Sequence, residues 1–105
     1  MIEKEVDITR KFRIIENLKT QMLTDVAQLF EELNGSNKNS NIEIGDLLAD
    51  IIILSYLLSE QLGISYMQID RRIINKTRLG VRESKRNDMW HEDLAELLQH
   101  FELLE

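Results

Sequence analysis

A long apolar stretch that carries three carboxylates constrains this chain more than any other feature of its sequence. Residues 42–62 read IEIGDLLADIIILSYLLSEQL, and only Asp50 and Ser55 are polar in the segment LLADIIILSYLL. A helix with this composition is apolar nearly all round, so we expect it to be buried among other helices. The stretch therefore predicts a central helix over residues 42–62, which Gly63 ends.

The three carboxylates form one row on this predicted helix. Glu43, Asp46 and Asp50 are separated by three and four residues, a spacing that places side chains on the same helical face. Like charges in a row repel, and burying one carboxylate without a partner costs several kcal/mol. Positive charge must therefore face the row. It comes either from Lys or Arg elsewhere in the chain or from Mg²⁺ or Mn²⁺, which prefer oxygen ligands.

A second interpretation of the same acids needs no ligand. Glu43 and Asp46 stand in the first turn of the predicted helix, where negative charge interacts favourably with the helix dipole. Asp50 then needs only one basic partner. From the residues alone, both interpretations stay open.

The first third of the chain carries a sustained helical pattern. Apolar residues recur there at steps of three or four, which predicts one long helix or two aligned helices over residues 7–34, with Asp7 as the N-cap. Asp25, Gln28 and Glu32 form a polar row on this segment. If the first helix packs antiparallel to the central one, this row faces the Glu43 row and completes a cluster; otherwise it is a solvated surface.

Two further helices are predicted after the central one. Ser65 is a candidate N-cap for a third helix over residues 65–79, which stops near Gly80. The last helix covers residues 88–104, with Trp90 at its start. The chain has no proline and four glycines, and its 105 residues suit one domain.

These elements predict an all-α fold, a single domain over residues 1–105 built as a bundle of about four helices. The broad apolar faces suggest that the bundle is completed by oligomerisation. Without cysteine the chain has no disulfide and no thiolate metal site. The amino-terminal segment has no signal-peptide core, and the apolar run is too short and too acidic to span a bilayer, so we expect a soluble cytoplasmic protein.

Positive charge is concentrated downstream of the central helix. Seven of the 13 Lys and Arg residues fall within one segment: Arg71, Arg72, Lys76, Arg78, Arg82, Lys85 and Arg86. A basic segment in a chain of net charge −6 is typical of a site that holds a polyphosphate on metal ions and binds its far end with cations. An amphipathic helix followed by a charged loop explains the same segment without a ligand, and the net charge argues against nucleic-acid binding.

The central segment also carries a family resemblance. EIGDLLADIIILSYLLSEQLGIS, residues 43–65, resembles the MazG-like family of all-α nucleoside-triphosphate pyrophosphohydrolases, whose signature is ExxE on one helix and ExxD on the next. The sequence EIGD matches the second half directly. The first half falls in TDVAQLFEEL, where Asp25 and Gln28 stand in place of two glutamates and Glu32, preferred over Glu31, continues their face.

The resemblance implies an activity and a set of site residues. A MazG-like enzyme cleaves a nucleoside triphosphate to the monophosphate and pyrophosphate with Mg²⁺ or Mn²⁺, and it is a helical-bundle dimer or tetramer. Glu43 and Asp46 take the catalytic positions. The residues expected to bind the metal directly or through water are Asp25, Gln28, Glu32, Glu43, Asp46 and Asp50. The residues expected to bind substrate, from the similar segment RRIINKTR, are Arg71, Asn75, Lys76 and Arg78. The alternative is a relative that binds a nucleotide or a protein partner without catalysis.

Overall fold

Over the residues that the structure describes, the protein forms four α-helices, which confirms the predicted all-α class. The computed structural model describes residues 2–35, 40–84 and 89–104, and it contains no strand within these ranges. The helices are α1 (Ile2–Asn34), α2 (Ser40–Gln61), α3 (Tyr66–Glu83) and α4 (His91–Leu104). Of the helices so described, none combines the length and the hydropathy needed to cross a bilayer.

The helices are grouped into two compact units, Met1–Ile64 and Ser65–Glu105. In the first unit α1 packs against α2, and in the second unit α3 packs against α4. The prediction that the whole chain is a single domain stays a prediction.

The first helix is longer than its sequence pattern indicates. It begins at Ile2 rather than at Asp7 and runs without a break to Asn34, because no Gly or Pro interrupts this stretch. Its 33 residues correspond to about 50 Å, whereas the 22 residues of α2 correspond to about 33 Å. Every residue from 6 to 13 is exposed. The amino-terminal part of α1 therefore makes no buried contact over these positions.

The contact between α1 and α2 is centred on leucines. Leu29 on α1 and Leu47 and Leu54 on α2 are buried. The prediction that α2 is buried on nearly every side differs from the structure, because α1 is its neighbour within the unit and covers one side only. The exposed apolar side of α2, called here the α2 apolar face, consists of Leu48, Ile52, Ile53 and Leu57.

The second unit is held by a well-capped helix and a close helix contact. Ser65 caps α3 as predicted, because its side chain accepts a hydrogen bond from the Gln68 amide while the Gln68 side chain accepts one from the Ser65 amide. The helix continues past Gly80 to Glu83. A Cβ at Gly80 would lie 3.1 Å from Leu94 Cδ1, so this glycine lets α4 approach α3 rather than ending the helix.

The last helix begins later than its sequence pattern indicates. Trp90 precedes α4 and is exposed, and its carbonyl accepts a hydrogen bond from the Leu94 amide. His91 Nδ1 and Ser84 Oγ share a hydrogen bond of 2.5 Å that joins the start of α4 to the end of α3. The predicted cap at residue 87 or 88 lies outside the described residues.

The end of α2 depends on a glycine with left-handed backbone geometry. Gly63 has a φ of 82°, and its amide donates a hydrogen bond to the Glu60 carbonyl. The Ile64 amide donates to the Ser59 carbonyl at 2.8 Å. These two bonds form a Schellman motif, which satisfies carbonyls that the helix end would otherwise leave unpaired.

Replacing Gly63 by alanine should lower the free energy of unfolding by about 1 to 2 kcal/mol, because a Cβ is disfavoured at positive φ. Gly45→Ala is the matched control. Gly45 lies inside α2 with nothing within 4 Å of an added Cβ, so alanine there should stabilise the protein by about 0.5 to 1 kcal/mol. Urea denaturation followed by circular dichroism measures both. Equal effects of the two substitutions would contradict the conformational argument.

Candidate functional site

A cleft between α1 and α2 contains all six residues expected to bind a metal. Its volume is about 560 Å³. The side chains that line it are Asp25, Gln28, Glu32, Glu43, Asp46, Leu47 and Asp50. We call this the acidic cleft. The structure therefore brings together the two polar rows that the sequence places on separate helices. Leu47 also lines the cleft, although it was not predicted as a site residue.

Helical spacing explains how the two rows meet. On α1 the buried Leu29 directly follows Gln28, and on α2 the buried Leu47 directly follows Asp46. The apolar side chains pack in the contact between the helices, and the polar side chains that precede them therefore lie at the edge of the same contact. The connection between Asn34 and Ser40 is short, as is usual for helices packed as neighbours in a hairpin.

One carboxylate oxygen of the cleft, Oδ2 of Asp25, is buried without a hydrogen bond among the described residues. A carboxylate oxygen in this condition retains its desolvation cost, which a cation or a donor from a ligand would offset. This atom and the oxygen-rich lining fit a hard divalent cation.

Among the side chains that the structure describes, no basic residue forms an ion pair with the acids of the acidic cleft. Within residues 6–35, 41–84 and 89–104, Lys19 pairs with Glu16 and Arg78 pairs with Glu102, and neither pair involves the cleft. The interpretation that Asp50 pairs with a basic residue therefore finds no support in this part of the chain. Over the same ranges, no three His, Asp or Glu side chains are grouped as ligands of one metal ion. Binding a metal would thus require the carboxyl groups to rotate towards it.

A second concavity lies along α3 and contains most of the residues expected to bind substrate. Its volume is about 330 Å³, and its lining residues are Met67, Asp70, Arg71, Ile74, Asn75 and Arg78. We call this the α3 hollow. Lys76 was also expected to bind substrate, but it is exposed and does not line the hollow.

Met67, Asp70 and Ile74 also line the α3 hollow, although the sequence pattern did not predict them as site residues. Met67, Arg71, Ile74 and Arg78 are spaced by four, three and four residues, so their common face was available from the sequence. Glu102, which forms the ion pair with Arg78, comes from α4, and no local pattern indicates it. Lys85 and Arg86 of the basic segment lie outside the described residues.

A comparison with protein families identifies the class that this fold and cleft define. The model of the MazG-like family matches residues 8–94 of the 105-residue chain. The chain therefore belongs to the MazG-like family. The comparisons with curated proteins and with solved structures found no match.

Asp25→Asn should raise the free energy of unfolding of the metal-free protein by about 1 kcal/mol, because it removes a charge from a buried unpaired oxygen and relieves repulsion in the cleft. Glu31→Gln is the control, since Glu31 is exposed on the same helix and does not line the cleft. Urea denaturation with a chelator present measures both. A destabilised Asp25→Asn protein, or an equal gain in both variants, would contradict this account of Asp25.

Proposed function

We propose that this protein is a metal-dependent nucleoside-triphosphate pyrophosphohydrolase, which releases the nucleoside monophosphate and pyrophosphate. Membership of the MazG-like family relates the chain to nucleotide pyrophosphohydrolases. The observation that carries the proposal is the convergence of six metal-binding candidates in the acidic cleft, with Asp25 Oδ2 buried and unpaired. Nucleoside triphosphates are the proposed substrates, and the cytoplasm is accordingly the proposed location.

The acidic cleft supplies the ligands in this proposal. Glu43, Asp46 and Asp25 would hold Mg²⁺ or Mn²⁺ with their carboxylate oxygens. Glu32, Asp50 and Gln28 would bind the metal directly or through water. When bound, the metal supplies positive charge that polarises the phosphates and lowers the pKa of the attacking water.

The reaction also needs a proton acceptor and a way to hold the leaving phosphates. Glu43 and Asp46 are the proposed catalytic residues because they would hold the metal, and another carboxylate of the cleft, one that does not bind the metal, would accept the proton of the attacking water. Arg71, Asn75 and Arg78 of the α3 hollow bind the phosphate oxygens through charge-assisted hydrogen bonds. Lys76, exposed on the same helix, adds long-range attraction for the triphosphate.

A second candidate function follows from the substitutions in the first acidic motif. Asp25 keeps the charge of glutamate but has one methylene less, and Gln28 keeps an oxygen ligand but carries no charge. Both changes weaken a metal site and favour a protein that binds a nucleotide or a protein partner without turnover. Such a module is still stabilised by Mn²⁺ and nucleotide, by about 2.7 kcal/mol when the ligand is at 100 times its Kd. Stabilisation without product release identifies it.

We also propose that the protein is a homo-oligomer, a dimer or a tetramer. The α2 apolar face is exposed and lies within residues 48–57, a stretch of α2 in which only Asp50 and Ser55 are polar. A contiguous apolar surface of this kind is typical of a protein interface, and a second copy of the chain offers a self-complementary one.

Glu43→Gln should abolish turnover of nucleoside triphosphates while the protein stays folded, because it removes a metal-binding charge from an exposed position. The measurement is release of pyrophosphate and monophosphate from a panel of ribo- and deoxyribonucleoside triphosphates with Mg²⁺ or Mn²⁺. Glu31→Gln, which leaves the acidic cleft intact, is the control. Turnover retained in Glu43→Gln would refute the catalytic assignment, and a silent wild type would favour the binding module.

Ile52→Lys should dissociate the oligomer by raising the dissociation constant at least about tenfold, because it buries an unpaired charge in the proposed interface. Leu103→Lys is the matched control, since Leu103 is also exposed but lies on α4. Sedimentation velocity over a range of protein concentrations measures both. A monomeric wild type, or equal dissociation by both substitutions, would overturn the assignment of this interface.

A further inference from the structure

The guanidinium of Arg78 already has an anionic partner within the chain. Arg78 Nη2 lies 3.8 Å from Glu102 Oε1, and both side chains are about half exposed. The two residues belong to α3 and α4, which pack against each other in the unit Ser65–Glu105. Glu102 lies beyond residue 94, where the match to the family model ends.

The position of this ion pair links it to anion binding. Arg78 lines the α3 hollow together with Arg71, which stands seven residues earlier and therefore on the same helical face. Both guanidinium groups therefore line the concavity that an anionic ligand would enter, together with the carboxylate of Asp70. A phosphate that binds the guanidinium group of Arg78 must displace the Glu102 carboxylate from it.

We infer that Glu102 sets the polyphosphate affinity of the α3 hollow by competing with phosphate oxygens for Arg78, an inference that rests on the proposed function for the identity of the ligand. At 3.8 Å the carboxylate is beyond the 2.7 to 2.9 Å typical of a charge-assisted hydrogen bond. Displacing it therefore breaks no hydrogen bond. A polyphosphate carries more charge than one carboxylate and forms bidentate hydrogen bonds with a guanidinium, so it displaces Glu102.

The expected size of the effect is small but measurable. Exposed ion pairs are weak, and water and salt screen them. Removing the Glu102 charge should therefore tighten polyphosphate binding by about two- to fivefold at low ionic strength. The gain should shrink as salt is added, since competition between exposed charges is screened.

The experiment uses the full chain and inorganic tripolyphosphate, whose binding is followed by isothermal titration calorimetry without metal. The four proteins are wild type, Glu102→Gln, Arg78→Gln and the double variant. Glu96→Gln is the matched control, because it removes the same charge from another exposed position on α4. We expect tighter binding in Glu102→Gln, little change in Glu96→Gln, and weaker binding in Arg78→Gln.

The double variant decides whether Glu102 acts through Arg78. If it does, Glu102→Gln has no effect once Arg78 is glutamine. The inference is overturned by equal gains in Glu102→Gln and Glu96→Gln, by weaker binding in Glu102→Gln, or by no binding in any of the proteins.

Turnover is scored separately with nucleoside triphosphates and Mg²⁺. Competition at Arg78 in a protein that shows no turnover supports the inference and refutes the enzyme. Turnover with no effect of Glu102→Gln on tripolyphosphate binding refutes the inference alone.

Discussion

The apolar contact between α1 and α2 is the constraint on which the candidate site depends. Leu29 and Leu47 are buried in it, and each directly follows a polar residue of the acidic cleft. The same packing that buries these leucines therefore brings carboxylates of both helices into one cleft, where Glu43, Asp46 and Asp50 remain exposed. Water and salt screen the repulsion between exposed charges, so it does not prevent the leucines from packing. The Oδ2 of Asp25 differs because it is buried and has no partner within the described residues, and such departures from the usual pairing of buried polar atoms are common at functional sites.

The acidic and the basic candidate site residues lie in different units of the protein, which the net charge of −6 alone does not indicate. The acidic cleft belongs to the unit Met1–Ile64, and the α3 hollow, with its two arginines, belongs to the unit Ser65–Glu105. The first unit therefore carries the grouped carboxylates and the second unit the guanidinium groups of Arg71 and Arg78. Within the second unit, Glu102 reduces the positive charge available at Arg78, so a single side chain changes how strongly the α3 hollow attracts an anion.

Helical spacing predicted which polar residues share a face of each helix, because local periodicity fixes that property. It left open whether the row of Asp25, Gln28 and Glu32 faces the Glu43 row or is a solvated surface, and the structure brings both rows to one cleft. Features that depend on tertiary contact were beyond this reasoning. Gly80 was expected to end α3, but α4 packs closely over it, and Glu102 meets Arg78 across 24 positions of sequence. The prediction that α2 is buried on nearly every side was also wrong, because one side of the helix is exposed. Composition shows that a helix face is apolar but not which element covers it.

The unequal lengths of α1 and α2 imply that a single helix is not uniformly stable. From residue 14 onwards α1 has partly buried positions, whereas residues 6–13 are exposed at every position. A helical segment of this length without tertiary support is marginal in water. Its amide protons should therefore exchange with solvent long before those beside Leu29, and Arg10, Lys11 and Arg13 should be open to a trypsin-like protease before Lys19, which lies further along the same helix. The continuous helix α1 thus contains a segment that unfolds readily, residues 6–13, and a stable segment that packs against α2.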